Sequence, residues 1–184
     1  MRRFLTWLAT AATLTFAVPL QAGQNDPRLG PLFDALKAAA TAEEAAPIEH
    51  TIWQIWLMSG NGTVDAQMLR GLQAMGQGRL KAALEAFDAV TTVQPDFAEG
   101  WNKRATVEFL TGRLDASVRD IGRTLELEPR HFGALSGLGM IEMQLGHDRQ
   151  ALKAFEAALA IYPTLPGAAK RVRDLRDKIR GKGI

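Results

Sequence analysis

Apolar residues recur every three to four positions in a series of short stretches, each closed by glycine or proline. That spacing gathers them on one face of an α-helix. From Pro31 to Ala40, Leu32, Phe33 and Leu36 share a side. A longer stretch reaches Met58, and Ile48, Ile52, Trp53, Ile55, Trp56 and Leu57 give it a wide apolar face. Thr41, with Glu44 three residues on, makes a capping box for this helix, although Pro47 falls in or just past its first turns. Ser59-Gly60-Asn61-Gly62 ends it, and Thr63 is placed to cap the next. Pro166 to Arg180 reads as one more amphipathic helix, with Val172 and Leu175 facing inward.

Between these flanks the pattern repeats. Pro95, Pro129 and Pro163 stand 34 residues apart, and Gly78, Gly112 and Gly146 keep the same interval. Phe87, Ile121 and Phe155 fall in register, as do Ala83, Ser117 and Ala151. A fixed period of about 34 residues marks an array of helix-turn-helix units. A proline after each second helix stops it, and small residues at Gly71, Ala105 and Gly139 admit close neighbours. Asp96, with Glu99 three residues on, makes a capping box for the helix after Pro95. Trp101 is expected to be largely buried between repeats. One such pair cannot bury its apolar stripe alone, whereas stacked pairs share one core.

The units can be spelled out. The third runs Leu135, Leu138, Gly139, Ala151, Phe155 and Pro163; the second opens with Trp101 and closes with Ile121 and Pro129; the first gives Gly71, Ala83, Phe87 and Pro95. In these residues the chain resembles the tetratricopeptide repeat family, W-x-x-L-G-x-x-Y, then A-x-x-x-F, then P, over about residues 64–163. The predicted fold is all-α: a helix-turn-helix solenoid of three such units over residues 63–164. A degenerate N-terminal helix pair over 31–62 precedes them, after a flexible leader at 23–30. A capping helix and basic tail follow over 165–184.

The resemblance implies antiparallel pairs stacked in a right-handed superhelix whose concave face usually holds a peptide or protein segment. It assigns to that groove Met68, Leu72 and Met75 in the first unit, Asn102, Thr106 and Phe109 in the second, and Ser136, Met140 and Met143 in the third. Such a strip is apolar and rich in methionine, which adapts to varied apolar partners. Relatives that grip a free carboxylate use Lys, Asn and Arg there; only Asn102 and Lys103 match, so the expected partner is an extended or helical protein segment held by apolar side chains. In the competing arrangement the N-terminal or terminal helices cover the groove. Where the family favours leucine or an aromatic in the first helix, this chain has Arg70 and Arg104, then Ala74, Glu108 and Glu142. Arg104 is expected to pair with Glu108 or Glu142 across the stack.

Composition narrows the setting. Arg2 and Arg3 precede an apolar run from Phe4 to Val18, then Pro19-Leu20-Gln21-Ala22, which reads as an export signal over residues 1–22 cut after Ala22. Threonines at 6, 10, 13 and 15 weaken the run as a membrane span. Of 22 Lys+Arg, two lie in that signal, so the mature chain balances 20 bases against 20 acids, and the overall pI near 9.1 is no nucleic-acid footprint. Seven bases between Lys170 and Lys182 form a solvated face, or else a contact for an acidic partner or anionic membrane. With no cysteine, disulfides and thiol chemistry are excluded.

No H-E-x-x-H, G-x-S-x-G or phosphate-cradling loop occurs. His50, His131 and His147 fall in separate units and are expected at the surface or in turns. No catalytic residue, metal site or cofactor is expected. The sequence thus points to a non-catalytic protein–protein interaction module or scaffold of the cell envelope, in the periplasm. The alternatives are an accessory subunit of an envelope enzyme or assembly complex, or an inner-membrane adaptor anchored by an uncleaved N-terminus.

Overall fold

The computed structural model describes residues 22–181. The expected export signal lies outside them except for Ala22, as does Lys182. Helices α1 (Leu29–Ala38), α2 (Ala42–Trp56), α3 (Gly62–Gly76), α4 (Leu80–Val93), α5 (Ala98–Leu110), α6 (Leu114–Leu127), α7 (Phe132–Gln144), α8 (Asp148–Ile161) and α9 (Ala168–Gly181) make up the architecture, with no strand among the described residues.

Turn chemistry sets the repeat. Gly78, Gly112 and Gly146 adopt φ of +71°, +75° and +77°, a left-handed conformation that glycine takes without steric cost. Each closes a first helix with a Schellman pair of backbone bonds. Gly78 N–H donates to the Met75 carbonyl at 3.0 Å and Arg79 N–H to that of Ala74 at 2.9 Å; the same pair recurs at Gly112–Arg113 and Gly146–His147. At the far end, Gln94, Glu128 and Tyr162 have left the helical region, with φ of −135°, −138° and −127°, because each precedes a proline ring. Three antiparallel pairs result: α3–α4, α5–α6 and α7–α8.

The outer pairs close by setting a ring on a glycine. A Cβ on Gly71 would stand 2.4 Å from the Phe87 ring, and one on Gly139 would stand 2.7 Å from the Phe155 ring. Both phenylalanines are fully buried. The third pair's core continues onto α9 through Ala168, Val172 and Leu175. The central pair sets Ala105 against Ile121 and adds a hydrogen bond from the Ser117 hydroxyl to the Ala105 carbonyl at 2.8 Å.

Several helix starts differ from expectation. Residues 23–30, expected as a flexible leader, are packed: Gly23–Asn25 form a 3₁₀ turn with Gly23 buried, and α1 begins at Leu29. The cause is Gln24, whose Nε2 donates to the Asp96 carbonyl at 2.5 Å and whose Oε1 accepts from Ala98 N–H at 3.3 Å. That amide caps α5 from 74 residues away, taking the role expected of Asp96; Phe97 is the N-cap and makes no side-chain bond. Asn61, not Thr63, caps α3, its Oδ1 accepting from the Thr63 and Val64 N–H groups. Thr41 does cap α2, while Glu44 reaches back to Ala40 N–H.

The α1–α2 pair lacks the repeat's fixed residues and docks on the loops that join the units. At the first junction it is the loop after α2 that makes the contact, Gln94 Nε2 donating to the Ser59 carbonyl at 3.2 Å. At the second, Trp53 and Trp56 enclose His131 and Phe132. At the third, the Tyr162 hydroxyl donates to Glu49 Oε2 at 3.0 Å. Leu29, Leu36, Ile52, Ile55 and Trp56 share one apolar cluster with Phe132 and Tyr162.

Candidate functional site

The middle of the array holds an unusual amount of buried charge. Arg104 forks onto Asp120 of α6, Nε to Oδ2 at 2.6 Å and Nη2 to Oδ1 at 2.8 Å. Its Nη1 reaches back to α4, donating to Asp88 Oδ1 at 3.0 Å and Thr91 Oγ1 at 3.1 Å. The bidentate geometry makes this a strong charge-assisted contact that braces the second unit on the first. The expected partners, Glu108 and Glu142, are not the ones used: Glu142 bonds His147 at 2.8 Å, and Glu108 lies 3.9 Å from Arg113. Glu108 is buried with Oε2 lacking a donor. Burial, with the Asp120 carboxylate beside it, pushes its pKa up to about 7 against the pull of Arg104 and Arg113. Trp101 is only half-buried: its N–H donates to the Pro95 carbonyl and Arg104 covers its ring at 4.7 Å. It braces a surface and does not fill a core.

Next to this brace lies a second polar cluster. His131, expected at the surface or in a turn, is 0% exposed and stacks on Trp56 with centroids 4.1 Å apart. Its Nδ1 accepts from Ala134 N–H at 3.1 Å, capping α7. That leaves the ring proton on Nε2, which faces Glu99 Oε2 at 2.9 Å. Glu99 also accepts from Asn102 Nδ2 at 3.0 Å and pairs with Lys103 at 2.9 Å. Burial alone raises the Glu99 carboxyl, but Lys103 and His131 outweigh it and hold it below its usual range. Asn102 and Lys103, the two residues a ligand carboxylate would need, are thus already engaged by a carboxylate of the chain itself. Lys103 further lies over the Trp53 ring at 4.8 Å.

Beyond this cluster the groove opens into a cavity of about 280 Å³ between α5 and α7. Asn102, Thr106, Phe109 and Leu110 form one wall, Gly133, Gly137, Met140 and Ile141 the other, and Ser117 and Ile121 of α6 the floor. Four of the nine expected groove residues meet here: Asn102, Thr106, Phe109 and Met140. The other five do not extend the strip. Met68 is 2% exposed and belongs to the first pair's core with Val64, Phe87 and Phe97, where Leu57 from the end of α2 also packs. Leu72 and Met75 pack against the same core, Met143 packs toward α8 and α9, and Ser136 is half-buried outside the cavity wall. Leu110, 54% exposed, and Ile121 line the cavity without belonging to the expected groove set. The repeat register marks Ile121 as a core residue between helix pairs, and Leu110 falls outside the first-helix stripe. Among the described residues no helix is long and apolar enough to cross a membrane, and no group of three or more His, Asp or Glu gathers for a metal ion.

Comparison with known proteins agrees with this geometry. Models of the tetratricopeptide repeat match residues 68–125 and 132–165. A TPR repeat-containing protein of Rhizobium etli is 38% identical over 175 residues, spanning 94% of this chain and 86% of that protein. The first TPR of Spaghetti (RPAP3), solved with an HSP90 peptide, superposes with a TM-score of 0.61 at 18% identity, covering 64% of this chain and 93% of that one. The Sgt2 TPR domain from Aspergillus fumigatus gives 0.62 at 16% identity, over 67% and 83%. At these identities the structural likeness is one of fold.

Proposed function

The chain belongs to the tetratricopeptide repeat (TPR) family, and on that premise we propose that it is a non-catalytic interaction module of the cell envelope, holding a segment of another protein in its concave groove. The observation that carries this reading is the cavity between α5 and α7, open to solvent beside Leu110 and Met140, which are 54% and 38% exposed. Exposed apolar side chains around a concavity mark contact sites on soluble proteins. The HSP90 peptide held by the RPAP3 domain supports a polypeptide as the class of ligand. A free carboxylate is a poor fit, because Asn102 and Lys103 are tied to Glu99. Export is supported by Arg2, Arg3, the apolar run Phe4 to Val18 and Ala22.

Capture from envelope extract tests the reading. The mature chain retains a partner, while a Leu110→Asp, Met140→Asp variant loses it with its helix content and melting temperature little changed. These two positions are chosen because they are exposed, whereas Phe109 packs against the second pair's core. Equal capture by both chains would place the partner on another face. N-terminal sequencing of the native protein finds Gly23 first; intact Met1 in the cytosolic fraction would end the envelope assignment, and intact Met1 in membranes would make the protein an anchored adaptor.

A further inference from the structure

A glycine inside a helix destabilises it relative to alanine, so each one calls for a reason. Gly71, Gly100, Gly133 and Gly139 have one: a Cβ there would meet a neighbouring side chain at 2.4–2.7 Å. Gly76 and Gly122 have no neighbour but face solvent. Gly137 is different. It is half-buried in the middle of α7, yet a Cβ on it would meet only Ile121 Cδ1, at an ordinary 3.7 Å. Packing does not require the glycine, and what its missing side chain leaves is part of the wall of the α5–α7 cavity.

We infer that this cavity receives one aromatic side chain of the partner polypeptide, and that Gly137 keeps it open; the inference rests on reading the chain as a partner-binding module. The charge complement of the cavity is a neutral group. None of its lining residues is charged. Their side-chain donors are engaged within the chain, the Thr106 hydroxyl on the Asn102 carbonyl, the Ser117 hydroxyl on that of Ala105 and Asn102 Nδ2 on Glu99. A polar side chain entering here would lose its water and find few partners. Phe109 of α5 and Met140 of α7 both line the cavity, and a ring that reaches them gains both an aromatic pair and a thioether contact. Size agrees: a dry cavity of roughly 150 Å³ already holds benzene, so about 280 Å³ accommodates a phenyl or indole ring with its Cβ.

Titration of the mature chain with N-acetyltryptophanamide, followed through the methionine methyl resonances, tests this. The Met140 methyl shifts saturably with a Kd on the order of millimolar, and N-acetylalaninamide leaves it unmoved. Gly137→Leu, which fills the opening, binds the tryptophan amide roughly tenfold more weakly. Gly137→Ala supports the role of the glycine if it raises the melting temperature, by about 2–4 °C, and weakens the probe; a lower melting temperature would make Gly137 structural and overturn that role. An unshifted Met140, or equal shifts from both amides, would overturn the aromatic assignment. A Gly137→Leu chain that loses the probe yet captures its protein partner undiminished would overturn the inference while leaving the interaction role standing.

Discussion

The outer helix pairs and the central one solve the same packing problem with different chemistry. In α3–α4 and α7–α8 a phenylalanine ring lies on a glycine of the facing helix, and the contact is apolar and buried. In α5–α6 the corresponding contact is Ile121 on Ala105, without the ring, and it is supplemented by Arg104, Asp120 and the Ser117 hydroxyl. A ring on a glycine tolerates almost no change in volume. An ion pair tolerates volume but demands that every member keep its partner. The central unit, which also carries the cavity, is therefore the one held by directional contacts.

The contrast can be broken most severely at the ring. Phe87→Ala is expected to cost about 3–5 kcal/mol in chemical denaturation. Gly71→Ala alone, which drives a methyl into the same ring, costs about 1–3 kcal/mol, but much less once Phe87 has been cut back. Additive losses would show that the ring–glycine contact is not what closes the pair. Next is the brace. Arg104→Leu strands the buried Asp120 and is expected to cost about 2–3 kcal/mol, below the 3–5 of a fully buried pair because Arg104 keeps some exposure. Adding Asp120→Asn should recover part of that loss, and a double-mutant cycle without coupling would dismiss the brace.

The smallest effect sharpens the comparison through pH. Glu108 has a folded pKa of about 7 against an ordinary 4.5, so the native state holds its proton more tightly than the unfolded chain does. Below pH 4.5 both states are protonated and the site is at its most stable. Stability falls as pH rises toward 7 and the loss is complete above it. Glu108→Gln should lack this decline and exceed the wild type by on the order of 1 kcal/mol above neutral pH. A difference between the two that does not change from pH 4 to 8 would refute the assignment.

What could be read in the residues was what the backbone decides locally. The 34-residue columns of glycine and proline act through φ and the missing N–H, and the helix pairs, turns and breaks follow them. Asn102, Thr106, Phe109 and Met140 were within reach through the resemblance to the tetratricopeptide repeat, which assigns them to the groove. Partners set by the tertiary stack were not. Arg104 finds its acids 16 residues away on either side, whereas helical spacing directed attention to Glu108 four residues on. His131 carries no mark of burial; it is covered by Trp53 and Trp56, which lie in a helix outside the period. Met68 is assigned to the groove by the resemblance and is still lost to it, because it is buried in the first pair's core, a cluster that Phe97 shares and Leu57 packs against.

An open repeat array frays from its ends, since each unit answers only to its neighbours. Here the α1–α2 pair joins residues as far apart as Glu49 and Tyr162, 113 positions along the chain, and touches the second and third junctions, while the loop that follows it reaches the first through Ser59. Melting of the last unit must therefore disturb the first, and a linear polymer of units acquires the all-or-none unfolding of a globular domain. Closing so long a loop also delays folding. We expect the three pairs to form first from local contacts and the first two helices to land last on an array already built, which stopped-flow refolding of the full chain against the chain lacking α1 and α2 would check.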